Sequence, residues 1–431
     1  MFINGLQVLF LVAGAHASLD PFPAMESEFL RKIRVRIQSA VSHVQVRGWD
    51  LKVSAPQILS QMARSSRGIS GLSIWDFVCL PNEVQVRVQR DGMVSEVHRF
   101  RSPVTLRSPA GQLTVQSKPY RDEILIYASG APGRRCEVVN LVELETYLEG
   151  VVNSEFSTRW SEESIAAQVV ASRTYALFQI KSSDRNRHYD VDSTEKDQVY
   201  EGTEKVDSIA ARVVKKTRGM VLTVGSGKKR RPLQAFYHST CGGKTILPEA
   251  VWGKPSRGFK QGVVCPYCRS SPRFEWRATI SEAELRTILR EGGQMGRGLL
   301  ASKGWPKQWL STLSQGELRQ IAARDLGPSE HVGIVVTSWT HAGGNYDLPI
   351  SAQNFRNWIG AAKIRSTSFR IRKLQESLSD VGVRRWEVLG HGSGHGVGMC
   401  QWGAKVMGEK GFKMEKILRY YYPQARIQKL W

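Results

Sequence analysis

The chain has 431 residues, a formal net charge of +22, 41% hydrophobic residues and 23% charged residues. These shares exclude an intrinsically disordered chain, and the length exceeds one ordinary domain, so two or three packed units are expected. The basic surface points to a polyanionic partner (nucleic acid, anionic lipid or an acidic cell-wall polymer), and charge alone does not choose among these.

The first residues narrow the choice. The apolar run 6–15 is followed by Ala15-His16-Ala17, a small-x-small cleavage pattern, although no Lys or Arg precedes the run. This predicts a secretory signal over residues 1–17. The run is too short to span a membrane, and no later stretch is long and apolar enough to do so. The expectation is an exported protein of the periplasm, cell wall or exterior, without a transmembrane anchor, which weighs against a nucleic-acid partner. In such a protein the even count of six cysteines points to disulfides, though the spacing of three of them points elsewhere.

Residues 29–140 read as a β-rich antiparallel module. Ile33, Val35 and Ile37 alternate with basic residues, and Val84, Val86 and Val88 alternate with Gln and Arg. Turn signals stand at 108–111 and 130–133. The remainder divides into 141–280, the first part of a mixed core, and 281–431, a second part completing a cleft. The fold class expected is α+β. Helices are predicted at 144–148, 206–216, 282–289, 315–324, 352–360 and 414–421, and strands at 219–224, 233–237 and 332–339.

Residues 148–175 are predicted as a turn followed by a helix, with Glu155 in the turn and Ser161 as N-cap. Ile165, Val169, Ala176 and Ile180 share one face, which is expected to be buried. Gln168 and Arg173 interrupt the apolar run. Either they reach the surface along their stems, or Arg173 helps form a cleft beside Glu155.

Two later stretches carry chemistry. His238-x-x-Cys241 and Cys265-x-x-Cys268 supply four N/S ligands in the spacing of a closed, structural zinc site; a Cys265–Cys268 redox pair or a disulfide from Cys241 are the alternatives. The stretch 390–404 places glycines around His391 and His395 and feeds a helix N-terminus. There the backbone can approach a ligand, and His395 either lines a cleft or is a structural hydrogen-bonder. Cys400 is expected to be a small packed side chain.

Several motifs then agree on one family. Tyr147-Leu-Glu-Gly-Val-Val-Asn-Ser-Glu155, Trp160 and 167–176 form the first block. Phe236-Tyr-His-Ser-Thr-Cys-Gly-Gly-Lys-Thr245, Val251-Trp-Gly, Phe355-Arg with Ile359-Gly, Arg365-Ser-Thr-Ser-Phe369, 394–404 and 417–423 follow in order. Together they resemble the stage II sporulation protein D and amidase-enhancer family over about residues 120–425. The resemblance implies a bacterial cell-wall enzyme, a lytic transglycosylase acting on peptidoglycan glycan strands, preferably strands stripped of stem peptides. It puts the catalytic acid/base on Glu155 and an accompanying cleft arginine on Arg173, with no cofactor required for catalysis.

Tyr175, Tyr200, Tyr237 and Trp402 are candidates for sugar stacking or for core packing. Ser239, His395 and Gln401, inside the family motifs, complete the substrate-binding candidates. A cell-wall amidase is the expected protein partner, and a non-catalytic glycan-binding protein that stimulates such an amidase is the alternative function. A family zinc cluster at the segment corresponding to 188–198 is not carried over: only His188 of its ligands stands here, with Asp192, Lys196 and Asp197 at the other positions.

Overall fold

The computed structural model describes residues 31–431 apart from 56–70, 91–92, 129–134, 185, 205, 296–314, 327–330 and 376–383. The predicted signal 1–17 and the turn at 130–133 lie outside the described residues. No described helix is long and apolar enough to cross a membrane.

The chain begins with strands β1 (Lys32–Val41), β2 (His43–Trp49), β3 (Lys52–Ser54), β4 (Leu72–Leu80), β5 (Glu83–Arg90), β6 (Met93–Arg101), β7 (Val104–Val115), β8 (Lys118–Ala128) and β9 (Cys136–Glu143). They form one antiparallel sheet in the order β1-β9-β8-β7-β2-β4-β5-β6, with β3 on β7. The alternation read from the sequence is the alternation of burial: Val44 and Val46 are buried while Gln45 and Arg47 are exposed. A disulfide joins Cys79 to Cys136.

Helix α1 (Leu144–Glu155) follows β9 directly, and α2 (Glu162–Ser182) follows α1. The sequence predicts only residues 144–148 as helix and leaves Glu155 in a turn; the helix instead runs through Glu155 and is capped at its start by Glu143, which accepts from the Thr146 N–H. Helix α2 starts at the predicted N-cap Ser161. It is buried on every side from Ser164 to Leu177, not on one face, because α1, the later helices α3 (Ser208–Lys216), α7 (Gln401–Glu409) and α8 (Met414–Tyr421) and the strand β11 (Met220–Val224) all pack on it.

β10 (Val191–Asp192) adds in parallel to β1, and α3 (Ser208–Lys216) leads into β11 (Met220–Val224). The strand predicted at 233–237 is replaced by two short pieces, β12 (Arg231–Pro232) and β13 (Tyr237–His238). α4 (Pro248–Trp252) follows.

A second hydrophobic core is then inserted. β14 (Glu275–Ser281) enters it; α5 (Glu282–Met295), β15 (Glu317–Leu326), β16 (Val332–His341), β17 (Gly344–Ser351), α6 (Ala352–Ile359) and β18 (Phe369–Lys373) build it; β19 (Arg385–His391) leaves it. β14 and β19 pair antiparallel from Glu275↔His391 to Ser281↔Arg385, so entry and exit lie side by side. Of the segment 315–324, predicted as helix, residues 317–324 are strand: β15 is held along its length by β16.

The chain then returns to the first core with β20 (Met399–Cys400), α7 (Gln401–Glu409), α8 (Met414–Tyr421) and β21 (Arg426–Lys429). The unit predicted as 281–431 is therefore divided, its last helices packing on α2. The parallel pair β13–β20 joins the two ends of the insertion, Tyr237 opposite Met399 and His238 opposite Cys400. At this join Gly398 has φ +74°, and a Cβ there would run into the Phe236 carbonyl.

Candidate active site

Glu155 is the last residue of α1 and is half-buried. Its Oε1 accepts the Val199 N–H at 2.6 Å. Its backbone carbonyl accepts from Gln401 Nε2 at 3.3 Å, so the first residue of α7 fastens the end of α1. Beside it Phe156 is buried and packs edge-on against Trp160 at 4.3 Å, and Trp160 meets Trp402 at 5.5 Å. Burial pushes the Glu155 carboxyl from 4.5 up to about 7; the Val199 N–H opposes this, and the exposed Glu195 adds to it by repulsion.

This setting has a consequence for stability. Between pH 4.5 and about 7 the folded protein holds a proton that the unfolded chain releases, so stability falls as pH rises through that window and levels off above it. Glu155→Gln removes this loss. Denaturant unfolding at pH 5 and pH 8 is expected to show the variant gaining about 1–3 kcal/mol on the wild type between the two pH values. An unchanged gap would mean that Glu155 is not raised.

Arg173 is not a cleft residue. Its guanidinium is fully buried and donates to Glu145 at 2.7 Å, to the Met220 and Val214 carbonyls at 3.1 and 3.3 Å and to Thr217. Helix α2 is enclosed, so the side chain cannot reach solvent along its stem and is satisfied internally instead. The Arg173 charge is taken up by Glu145.

The other sequence candidates separate into two groups. Tyr200 is buried against Tyr120 and Tyr147 and donates its hydroxyl to Asn140; Tyr175 is buried and donates to Asp197 at 2.7 Å. Both are core residues and offer no face to a sugar. Gln401 meets Glu155, and Tyr237 lies within reach of the Glu155 charge. Gln198 bridges the Tyr147 and Tyr237 hydroxyls, and the Glu155 charge adds to the burial that pushes the Tyr237 phenol well up. Ser239 is half-buried, and its carbonyl accepts the Trp402 N–H at the first turn of α7.

His395 is a structural hydrogen-bonder. Nδ1 accepts the Val397 N–H and Nε2 donates to the Tyr237 carbonyl, so both nitrogens are used by backbone, and burial lowers its pKa to about 3. His238 donates Nδ1–H to the Val397 carbonyl. It lies outside the cluster of thiols: Cys241, Cys265 and Cys268 are joined there by Cys400 instead.

Two residues of this region were not singled out from the sequence. Trp252 is 45% exposed, stacks on Phe236 at 4.4 Å and lies 5.2 Å from the His395 ring. Arg356, on α6 of the inserted core, has a buried Nε without a hydrogen-bond partner. Its charge reaches His395, and Glu195 acts on both Arg356 and Glu155. Both residues lie within the family motifs quoted above, and that was their only signal.

Comparison with known proteins agrees with the motifs. Residues 133–224 match the model of the family described as SpoIID, Stage II sporulation protein. That segment carries α1, α2, Glu155 and Val199. Over that segment the chain is similar to the SpoIID family. Among its relatives, a stage II sporulation protein D of Bacillus amyloliquefaciens is 28% identical over 67% of this chain and 75% of its own length. The amidase enhancer of Bacillus subtilis is 26% identical over 65% of this chain, and the match spans 40% of the relative. An uncharacterized protein of Brachyspira hyodysenteriae is 26% identical over 87% of this chain and 88% of its own.

The segment 188–198 of this protein is fastened by ion pairs and hydrogen bonds. Asp190 takes Arg34 at 2.6 Å and Asp192 takes Arg36 at 2.5 Å. His188 stacks on Tyr127 and meets Glu137, and Asp197 accepts from Tyr175, Gln179 and the Asp192 N–H.

Proposed function

We propose that this protein is an exported peptidoglycan lytic transglycosylase, with Glu155 as the general acid and then the general base. The observation that carries the reading is one carboxyl group, held at a helix end by Val199 and Gln401, with its pKa raised to about 7. Such a group is half protonated near neutrality and can both give and take a proton.

In the reaction Glu155 gives its proton to the glycosidic oxygen of the MurNAc–GlcNAc bond as the C1–O bond breaks. The Glu155 carboxylate then takes the proton of the MurNAc 6-hydroxyl as O6 bonds to C1 and closes the 1,6-anhydro ring. The nucleophile belongs to the substrate, so positioning replaces the second carboxylate that a hydrolase uses. Trp252 offers an exposed face for a sugar ring. Arg356, whose buried Nε has no hydrogen-bond partner, offers a guanidinium for the lactyl carboxylate that peptide removal uncovers, and the net charge of +22 suits such a substrate.

Incubation with amidase-treated sacculi tests the reading. Soluble fragments ending in 1,6-anhydro-MurNAc are expected, and their absence would refute catalysis. Arg356→Gln is expected to raise KM for peptide-stripped strands roughly 10- to 100-fold with a smaller change in kcat, the size of one charge-assisted hydrogen bond. An unchanged KM would remove Arg356 from substrate binding. The name of the Bacillus subtilis relative motivates a second assay with a cell-wall amidase added. Stimulation that survives in Glu155→Gln, without anhydro products from the wild type, is the result expected of a non-catalytic amidase activator.

A further inference from the structure

Four cysteine sulfurs from three separate parts of the chain converge under the site. Cys241, Cys265, Cys268 and Cys400 are all buried, and their sulfurs lie within 4.8 Å of one another. Cys241 and Cys268 are 3.5 Å apart, far beyond the ~2.05 Å of a disulfide. Four sulfurs each ~2.3 Å from one zinc ion stand about 3.8 Å apart at the corners of a tetrahedron, a spacing that lies between the 3.5 Å of Cys241–Cys268 and the 4.8 Å within which all four fall.

The surroundings suit thiolates. The Cys241 and Gly403 N–H groups donate to Cys400 Sγ at 3.3 and 3.4 Å, and the Tyr421 hydroxyl lies 3.1 Å from Cys265 Sγ. Donors aimed at ligating sulfurs are the usual outer shell of a metal site. A Cβ at residue 403 would collide with the Tyr421 hydroxyl and the Cys265 sulfur, so the close approach of α7 to the cluster requires Gly403.

We propose that Cys241, Cys265, Cys268 and Cys400 bind one zinc ion as a closed tetrathiolate site that fixes the N-terminus of α7, and with it Gln401, to the 241–268 loop. Four thiols lose their protons on binding, and zinc is neither oxidised nor reduced. All four ligands come from the protein, so the ion has no open position for substrate. Its role is positional: Cys400 caps α7, and the next residue holds the Glu155 carbonyl.

The full chain, purified without chelator after expression with zinc, iron and copper present, is analysed for metals and for reactive thiols. One zinc per chain is expected, with four thiols that react only after denaturation with a chelator. Cobalt exchanged into the wild type is expected to give the intense sulfur-to-cobalt absorption of four thiolates. Cys400→Ser is expected to lose this absorption in part and to bind zinc more weakly, and His238→Gln to retain the ion. Metal-free protein whose four cysteines form two disulfides would overturn the proposal. Iron at one per chain would overturn the identity of the ion. A cobalt spectrum of three thiolates in the wild type would overturn the role of Cys400, and that result needs no variant to fold.

Discussion

Glu155→Gln is expected to lower the release of anhydro-muropeptide ends from peptide-stripped strands by about 10²–10⁴-fold, the usual share of a positioned acid/base. Gln keeps the shape and can still accept the Val199 N–H, so the loss is not a folding effect. The wild type adds a second signature. Protonated Glu155 is the reactive form of the free enzyme, and its pKa is raised to about 7, chiefly by burial. kcat/KM is therefore expected to fall tenfold per pH unit well above that value. A variant within tenfold of the wild type would remove Glu155 from the chemistry.

Arg173→Leu is expected to destabilise the fold by about 3–5 kcal/mol, because it leaves the Glu145 carboxylate buried and unpaired. Glu145→Leu is expected to cost a similar amount by leaving Arg173 without its counter-charge. The double replacement is expected to recover much of the loss, since neither charge is then stranded. Denaturant unfolding of the four proteins measures this cycle. If Arg173→Leu keeps wild-type stability and raises KM instead, Arg173 is a cleft residue after all.

Local patterns were legible wherever one short-range rule decides. The alternation of β5, the bounds of α8 and the stop at Gly360, with φ +105°, follow from neighbours in the sequence. The misses are places where distant partners decide. Residues 315–324 are rich in helix formers, yet pairing with β16 makes 317–324 a strand. Helix α1 continues through Gly150, a weak helix former. A Cβ there would strike the Gly202 carbonyl, so the glycine serves packing that no local pattern reveals.

The site shows the same division. Glu155 stood out through its motif, but the partner of Arg173 lies 28 residues away on another helix. The His238-x-x-Cys241 spacing resembles a ligand pair, but the bridge to Cys400 exists only because β13 and β20 meet across the whole insertion. Spacing rules find ligands close in sequence. Cys400, 159 residues from Cys241, is beyond their reach.

The reaction run in water enriched with oxygen-18 tests the central claim most directly. A single acid/base closing the ring with the substrate's own 6-hydroxyl predicts products of anhydro mass with no label at C1. Products that are heavier by one water and carry oxygen-18 at C1 would show hydrolysis, and would contradict the role assigned to Glu155.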